Sequence, residues 1–214
     1  MYFESQEALG SYLLNHPGLN RLEVTDSPGI TGLELLPGSL TYLRVSNCPG
    51  ITSLGQLPSS LTDLRVDNCP GITSLGQLPG SLTDLRVDNC PLISLGQLPS
   101  SLTDLSINDC PGIISLGKLP SSLAVLMIYR CPLIFSLGKL PNSLTDLGIT
   151  GCPRITNLGK LPRLLTYLQV SNCLSLTNMG QLPRSLTYLR VEDCPDLTSR
   201  GLMVSVGKLT IHIS

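Results

Sequence analysis

Cysteine, histidine and aspartate are the side chains here that could serve as nucleophile, metal ligand or acid–base pair. The cysteines are Cys48, Cys69, Cys90, Cys110, Cys131, Cys152, Cys173 and Cys194. A catalytic thiolate needs a base within hydrogen-bond reach, and a metal-bound one needs further ligands closing a tetrahedron. The two histidines, His16 and His212, stand near opposite ends of the chain, with no cysteine or second histidine close by in sequence. No glycine-rich loop follows a strand and opens a helix to cradle phosphate. Asp63, Asp84 and Asp104 recur like a file of carboxylates, but calcium requires a loop that wraps the ion. What the cysteines do reveal is a period: they lie 21 residues apart, with one interval of 20.

The period belongs to nearly the whole chain. Residues 61–79 read LTDLRVDNCPGITSLGQLP, and units of this kind begin at Leu19, Leu40, Leu61, Leu82, Leu102, Leu123, Leu144, Leu165 and Leu186. A fixed period of this size is the signature of a solenoid, in which each unit buries its apolar side against its neighbours. Counting the first Leu as position 1, the apolar positions are 1, 4, 6, 9, 12, 15 and 18. Positions 3 to 8 are expected to form a strand, as at Tyr42 to Asn47. Pro at position 10 has no N–H to continue a ladder and so ends it. Gly at position 16 permits a second bend, and Leu-Pro at positions 18 and 19 favours an extended return. Gly and Pro in every return segment argue against a helix there. The unit with Cys90-Pro91-Leu92-Ile93-Ser94 is one residue short, with the gap expected after Ile93.

The pattern LxxLxVxxC resembles the leucine-rich repeat. The fuller form LPxSLTxLxVxNC, as at Leu57-Pro58-Ser59-Ser60-Leu61, resembles the short units of bacterial IpaH- and YopM-type effectors. It is also similar to repeats of plant intracellular resistance receptors, and amoebal FNIP-type repeats share LPxSLT without the Cys-Pro step. Repeat length and the helix-poor return favour the bacterial class. The expected fold is mainly β: a leucine-rich-repeat solenoid with a parallel concave sheet, an extended and turn-rich convex side, and a short N-terminal capping helix. Residues 1–18 are read as the helical cap, with Ser5 capping and Leu9, Tyr12, Leu13 and His16 on one side. Residues 19–206 are the nine repeats. Residues 207–214 are a closing strand, with Arg200 and Met203 marking decay of the ninth unit and Thr210 and His212 pointing outward.

The cysteines all fall at position 9 and are therefore a core column, spaced by strands ~4.8 Å apart, too far for relaxed disulfide geometry. A reduced column favours a cytosolic setting, which for a secreted effector would be the host cytosol. Residues 1–10 lack the basic start and apolar core of a signal peptide. Net charge is −1 with 14% charged residues, so no basic footprint for nucleic acid is expected. No apolar run approaches the ~20 residues of a membrane span. No cofactor, metal, small-molecule substrate, nucleic-acid or membrane partner is expected, and the chain is read as non-enzymatic.

The expected function is protein binding through the concave face, and the resemblance implies the recognition part of a bacterial effector. An array of near-identical units without a natural partner, structural or designed, is the alternative. Two stretches stand out as partner-binding candidates. Arg65 and Arg86, with Asp84, form an Arg column between Asp columns in the third and fourth units. The sixth unit, SSLAVLMIYRCP, places Val125, Met127, Tyr129 and Arg130 where its neighbours are polar, beside Gly148 and Gly151, which leave shallow space. Apolar side chains with a Tyr and an Arg have the composition of an interface hot spot.

Overall fold

The computed structural model describes residues 1–197 and, by their backbone, 210–213. Each unit contributes one short strand: β1 (Arg21–Thr25), β2 (Tyr42–Ser46), β3 (Asp63–Asp67), β4 (Asp84–Asp88), β5 (Asp104–Asn108), β6 (Val125–Tyr129), β7 (Asp146–Thr150), β8 (Tyr167–Ser171) and β9 (Tyr188–Glu192). With β10 (Thr210–Ile213) they form one ten-stranded parallel sheet in chain order. The Leu-x-Val alternation explains the strands: Leu43 and Val45 point inward while Tyr42 and Arg44 face out, half-buried. The register is repeat-on-repeat, Leu43 beside Leu64 and Val45 beside Val66. Equivalent residues therefore stack in columns about one strand spacing, ~4.8 Å, apart.

The inward columns make a single continuous core. In the second unit Leu40, Leu43, Val45, Cys48, Ile51, Leu54 and Leu57 are all buried, and the same positions are buried in the third to eighth units. All eight cysteines carry free thiols, and all but the half-buried Cys194 are buried. Outside the strands the chain runs as turns and extended segments, with isolated parallel bridges such as Ser115 to Ser136. Hydroxyl ladders tie the rungs: Thr62 Oγ1 donates to the Thr41 carbonyl at 3.0 Å, and Ser60 Oγ to the Leu40 carbonyl at 2.6 Å.

Two details differ from the sequence expectation. The strands are five residues long because position 8 turns into the left-handed region, as at Asn47 (φ 54°), Asn68 (φ 49°) and Asp109 (φ 48°). Asn, Asp and Gly tolerate that backbone better than other residues, which explains their recurrence there. The gap of the short unit lies before Leu92, not after Ile93. Leu92 is buried like Ile72 and Ile113, its N–H donates to the Cys90 carbonyl at 2.8 Å, and Ile93 is exposed.

The helix α1 (Gln6–Asn15) covers the start of the stack. Ser5 Oγ accepts from the Ala8 N–H at 3.2 Å, and Leu9 and Leu13 are buried. Gln6 Oε1 accepts from the Thr31 N–H at 3.1 Å. Ser27, which stands in the cysteine column of the first unit, is fully buried: its Oγ accepts from the Phe3 N–H and donates to the Thr25 carbonyl, both at 2.8 Å. Residues 200 and 203 of the ninth unit, and the side chains of Thr210 and His212, lie outside the described residues.

Candidate protein-binding face

The outward residues of the sheet come from positions 3, 5 and 7, placed by strand alternation on one surface. In the N-terminal half this surface is charged. Arg65 pairs with Asp63 on its own strand at 3.2 Å, and Arg44 reaches Asp67 on the next strand at 2.8 Å. Tyr42 lies between two guanidinium groups, 3.7 Å from Arg21 and 5.4 Å from Arg65. Asp84 accepts from Thr83 Oγ1 at 2.9 Å. Arg86 is exposed and makes no ion pair among the described residues. The Arg column thus divides: Arg44 and Arg65 are engaged internally, while Arg86 is available.

From β6 onward the surface changes. Val125, Met127 and Tyr129 are half-buried neighbours on one strand, and Tyr129 Oη donates to Met127 Sδ at 3.4 Å. The space expected beside Gly148 is filled. A Cβ built on Gly148 would lie 2.5 Å from Met127 Sδ and 3.5 Å from Tyr129 Oη. Met127 and Tyr129 therefore lie along the sheet over Gly148 rather than standing away from it. Further on, Tyr167 and Tyr188 stack with centroids 4.7 Å apart and planes at 1°. Burial, then the neighbouring Tyr188, push the Tyr167 phenol upward.

Arg130 is placed differently from the expectation. It follows the strand in the left-handed turn (φ 49°), where the equivalent residues of the other units are Asn, Asp or Gly. Its guanidinium binds Asp109 of the preceding unit in bidentate fashion, both bonds at 2.6 Å, and holds that carboxyl below its ordinary range. The side chain is exposed, but its charge is answered within the chain. The space expected beside Gly151 is likewise taken, with Arg130 Cγ 3.3 Å from a Cβ built there.

Position 7 carries a feature that sequence reasoning missed. Asn108 Oδ1, Thr150 Oγ1 and Ser171 Oγ are buried polar atoms without a hydrogen-bond partner, and they are the three such side-chain atoms among the described residues. Asn108 and Thr150 flank Tyr129 in register on either side, and Ser171 follows Thr150. Buried polar groups are nearly always paired, so three in one file call for an explanation. The sequence signal was faint: small polar residues in adjacent units at position 7.

No group of three or more potential metal ligands assembles among the described residues. A groove of about 1330 Å³ lies outside the strands, along positions 16 to 20 of the third to sixth units, between Gly76 and Asn142. Burial pushes the Cys110 and Cys152 thiols up to about 12. Cys194 differs: hydrogen bonding from Cys173 brings it down to about 7.

No family model matches the sequence, and no curated protein matches it. Among solved structures, YopM from Yersinia enterocolitica superposes with a TM-score of 0.65 at 28% identity, over 92% of this chain and 43% of that one. The chain is a leucine-rich-repeat solenoid. A circular leucine-rich-repeat protein, CroV588, aligns over 82% of this chain and 34% of that one at 27% identity, with a TM-score of 0.48. This leucine-rich-repeat chain spans less than half the length of the YopM chain it matches, and the segments between its strands are turns and extended chain rather than helix among the described residues. Repeat solenoids of this kind present extended surfaces for protein interaction.

Proposed function

We propose that the protein is a non-enzymatic recognition module that binds a protein partner through the sheet face, centred on the sixth unit. The observation that carries this reading is the position-7 file around Tyr129. An aromatic ring with a polar tip stands between Asn108 and Thr150, whose buried side-chain oxygens lack partners. A partner laid along this file would find apolar contact in Val125, Met127 and Tyr129, and the buried oxygens of Asn108, Thr150 and Ser171 would have to turn outward to be paired by it. Arg130 supports the same reading. Its left-handed backbone is unfavourable for arginine, and strain of this kind tends to collect at functional sites. Arg86 and Asp84 form a charged outer edge of the contact, and Arg65 supports them from its pair with Asp63. Likeness to the bacterial effector repeats favours the recognition part of a larger effector acting in a cytosol, with the boundaries of cap and closing strand near residues 18 and 206.

Cross-linking with the parent chain and with Tyr129→Ala and Met127→Ala variants tests the reading. A partner held through this face should be captured by the parent, and each variant should bind it ~1–3 kcal/mol more weakly. A partner whose affinity is unchanged in both variants would move the site elsewhere.

A further inference from the structure

The back of the solenoid, opposite the sheet, sorts charge in a way that the overall balance hides. From residue 110 to residue 187, positions outside the strand and its turn carry Lys118, Lys139, Arg154, Lys160, Arg163 and Arg184 and no carboxylate. All six are exposed, and none makes an ion pair among the described residues. Lys118, Lys139 and Lys160 share position 17 in three consecutive units, where other units carry Gln77, Gln97 and Gln181. The carboxylates of the second to eighth units lie at positions 3, 7 and 8, on the sheet face and its edge. A net charge of −1 is thus the sum of an acidic front and a basic back. The ground for expecting no polyanionic or membrane partner does not extend to the back.

This stretch and the unit before it also carry exposed apolar side chains where other units have Ser or Thr. Seven units have a Ser at position 21 whose Oγ donates to the position-1 carbonyl of the same unit, as in Ser122 to Leu102 and Ser143 to Leu123, both at 2.6 Å. The seventh unit has Leu164 there instead, 58% exposed and next to Arg163. At position 13, Thr in the flanking units is replaced in three consecutive ones by Ile93, Ile114 and Phe135, which are 65%, 48% and 54% exposed. None of these fills the core, and none is forced by the repeat.

We propose that this back is a docking face for an anionic lipid surface. Cations recurring along the back attract a negatively charged leaflet, and exposed apolar side chains of these and the adjacent unit enter the headgroup boundary. The combination decides against the other polyanions. A phosphate backbone would use the cations but leave Leu164, Ile114 and Ile93 without a role, and a single Phe is no base-stacking platform. A second copy could bring only part of its acidic front, since Asp63, Asp67 and Asp109 are already paired with arginines, and self-association is an outcome of the test. Among the described residues no helix is long and apolar enough to cross a membrane, and the proposed contact is through surface side chains.

The test is vesicle co-sedimentation of the full chain, with phosphatidylcholine alone and with a phosphatidylserine-rich mixture, at low and high salt. The control is Lys118→Gln, Lys139→Gln and Lys160→Gln combined, which restores the residue other units carry and leaves the fold intact. Binding should require phosphatidylserine, fall with salt, and drop about a hundredfold in the triple variant, at about fivefold per lysine. Leu164→Ser with Phe135→Thr should bind less tightly while keeping the salt dependence. Tyr129→Ala should bind vesicles like the parent, which separates this face from the sheet-face site. The proposal is overturned by any of four results: equal partitioning to both vesicle types, parent-like binding of the triple variant, displacement from vesicles by single-stranded RNA, or sedimentation without vesicles through self-association at low salt.

Discussion

Met127 and Gly148 share one volume, and a double-mutant cycle measures it. Met127 Sδ lies 2.5 Å from where a Gly148 Cβ would be built. Gly148→Ala must therefore push the thioether outward. Complete burial of a Met side chain is worth roughly 1.5–3 kcal/mol, so half-burial makes Met127→Ala cost about 1 kcal/mol. Replacing a strand Gly by Ala returns about 0.5–1 kcal/mol of backbone entropy. In the parent that gain is offset by displacing Met127, and Gly148→Ala should be close to neutral. In the Met127→Ala background the new methyl enters vacated space and should stabilise by the full ~0.5–1 kcal/mol. The expected coupling is thus ~0.5–1 kcal/mol, read from urea unfolding of the four proteins. Coupling below ~0.3 kcal/mol would refute the shared volume. Gly148→Ala should also detach Met127 from Tyr129 Oη, now 3.4 Å away, and so weaken partner binding without touching either contact residue.

Ser27→Ala leaves the buried Phe3 N–H without its acceptor, so it should cost ~1–3 kcal/mol, with accelerated hydrogen exchange at Phe3 and Thr25; Ser27→Cys should lie between Ala and the parent. Native thiol titration should find one fast cysteine, Cys194, with labelling that rises through about pH 7, because only the thiolate reacts. Cys110 and Cys152, pushed up to about 12, should react only on unfolding. Arg130→Asn should raise the melting temperature, since Asn suits the left-handed turn and can donate to Asp109 as Asn47 Nδ2 donates to Asp26 Oδ1 at 2.7 Å. The Asp109 carboxyl is held low by Arg130, so its contribution is present above the unfolded carboxylate pKa and lost as pH falls through the folded one. The variant should therefore lose less stability on acidification than the parent, and a steeper acid limb would contradict the assignment.

The fold was legible because the period repeats one rule: Leu and Val at positions 1, 4 and 6 can be buried only if units stack in register, and Leu43 beside Leu64 follows directly. The turn at position 8 was legible in principle, since Asn47, Asn68, Asn89 and Gly151 are residues that accept positive φ, but reading them as outward strand residues lengthened the strand by one. The short unit was ambiguous because Leu92 and Ile93 are both apolar; the missing Gly of position 11, present at Gly71 and Gly112, was the better guide. At the candidate site, composition found Val125, Met127 and Tyr129 but not their direction. Whether a methionine stands up or lies down depends on its neighbour across the ladder, and Gly148 is the residue that lets Met127 lie down. Arg130 shows the same limit for charge, since its partner Asp109 lies 21 residues away in sequence and one rung away in space. In a solenoid, identity along the chain gives the columns, while the contacts between columns belong to pairs of units. The departures of the sixth unit, Met127 over Gly148 and Arg130 on Asp109, are therefore properties of neighbouring rungs, and a unit transplanted elsewhere in the array should lose them.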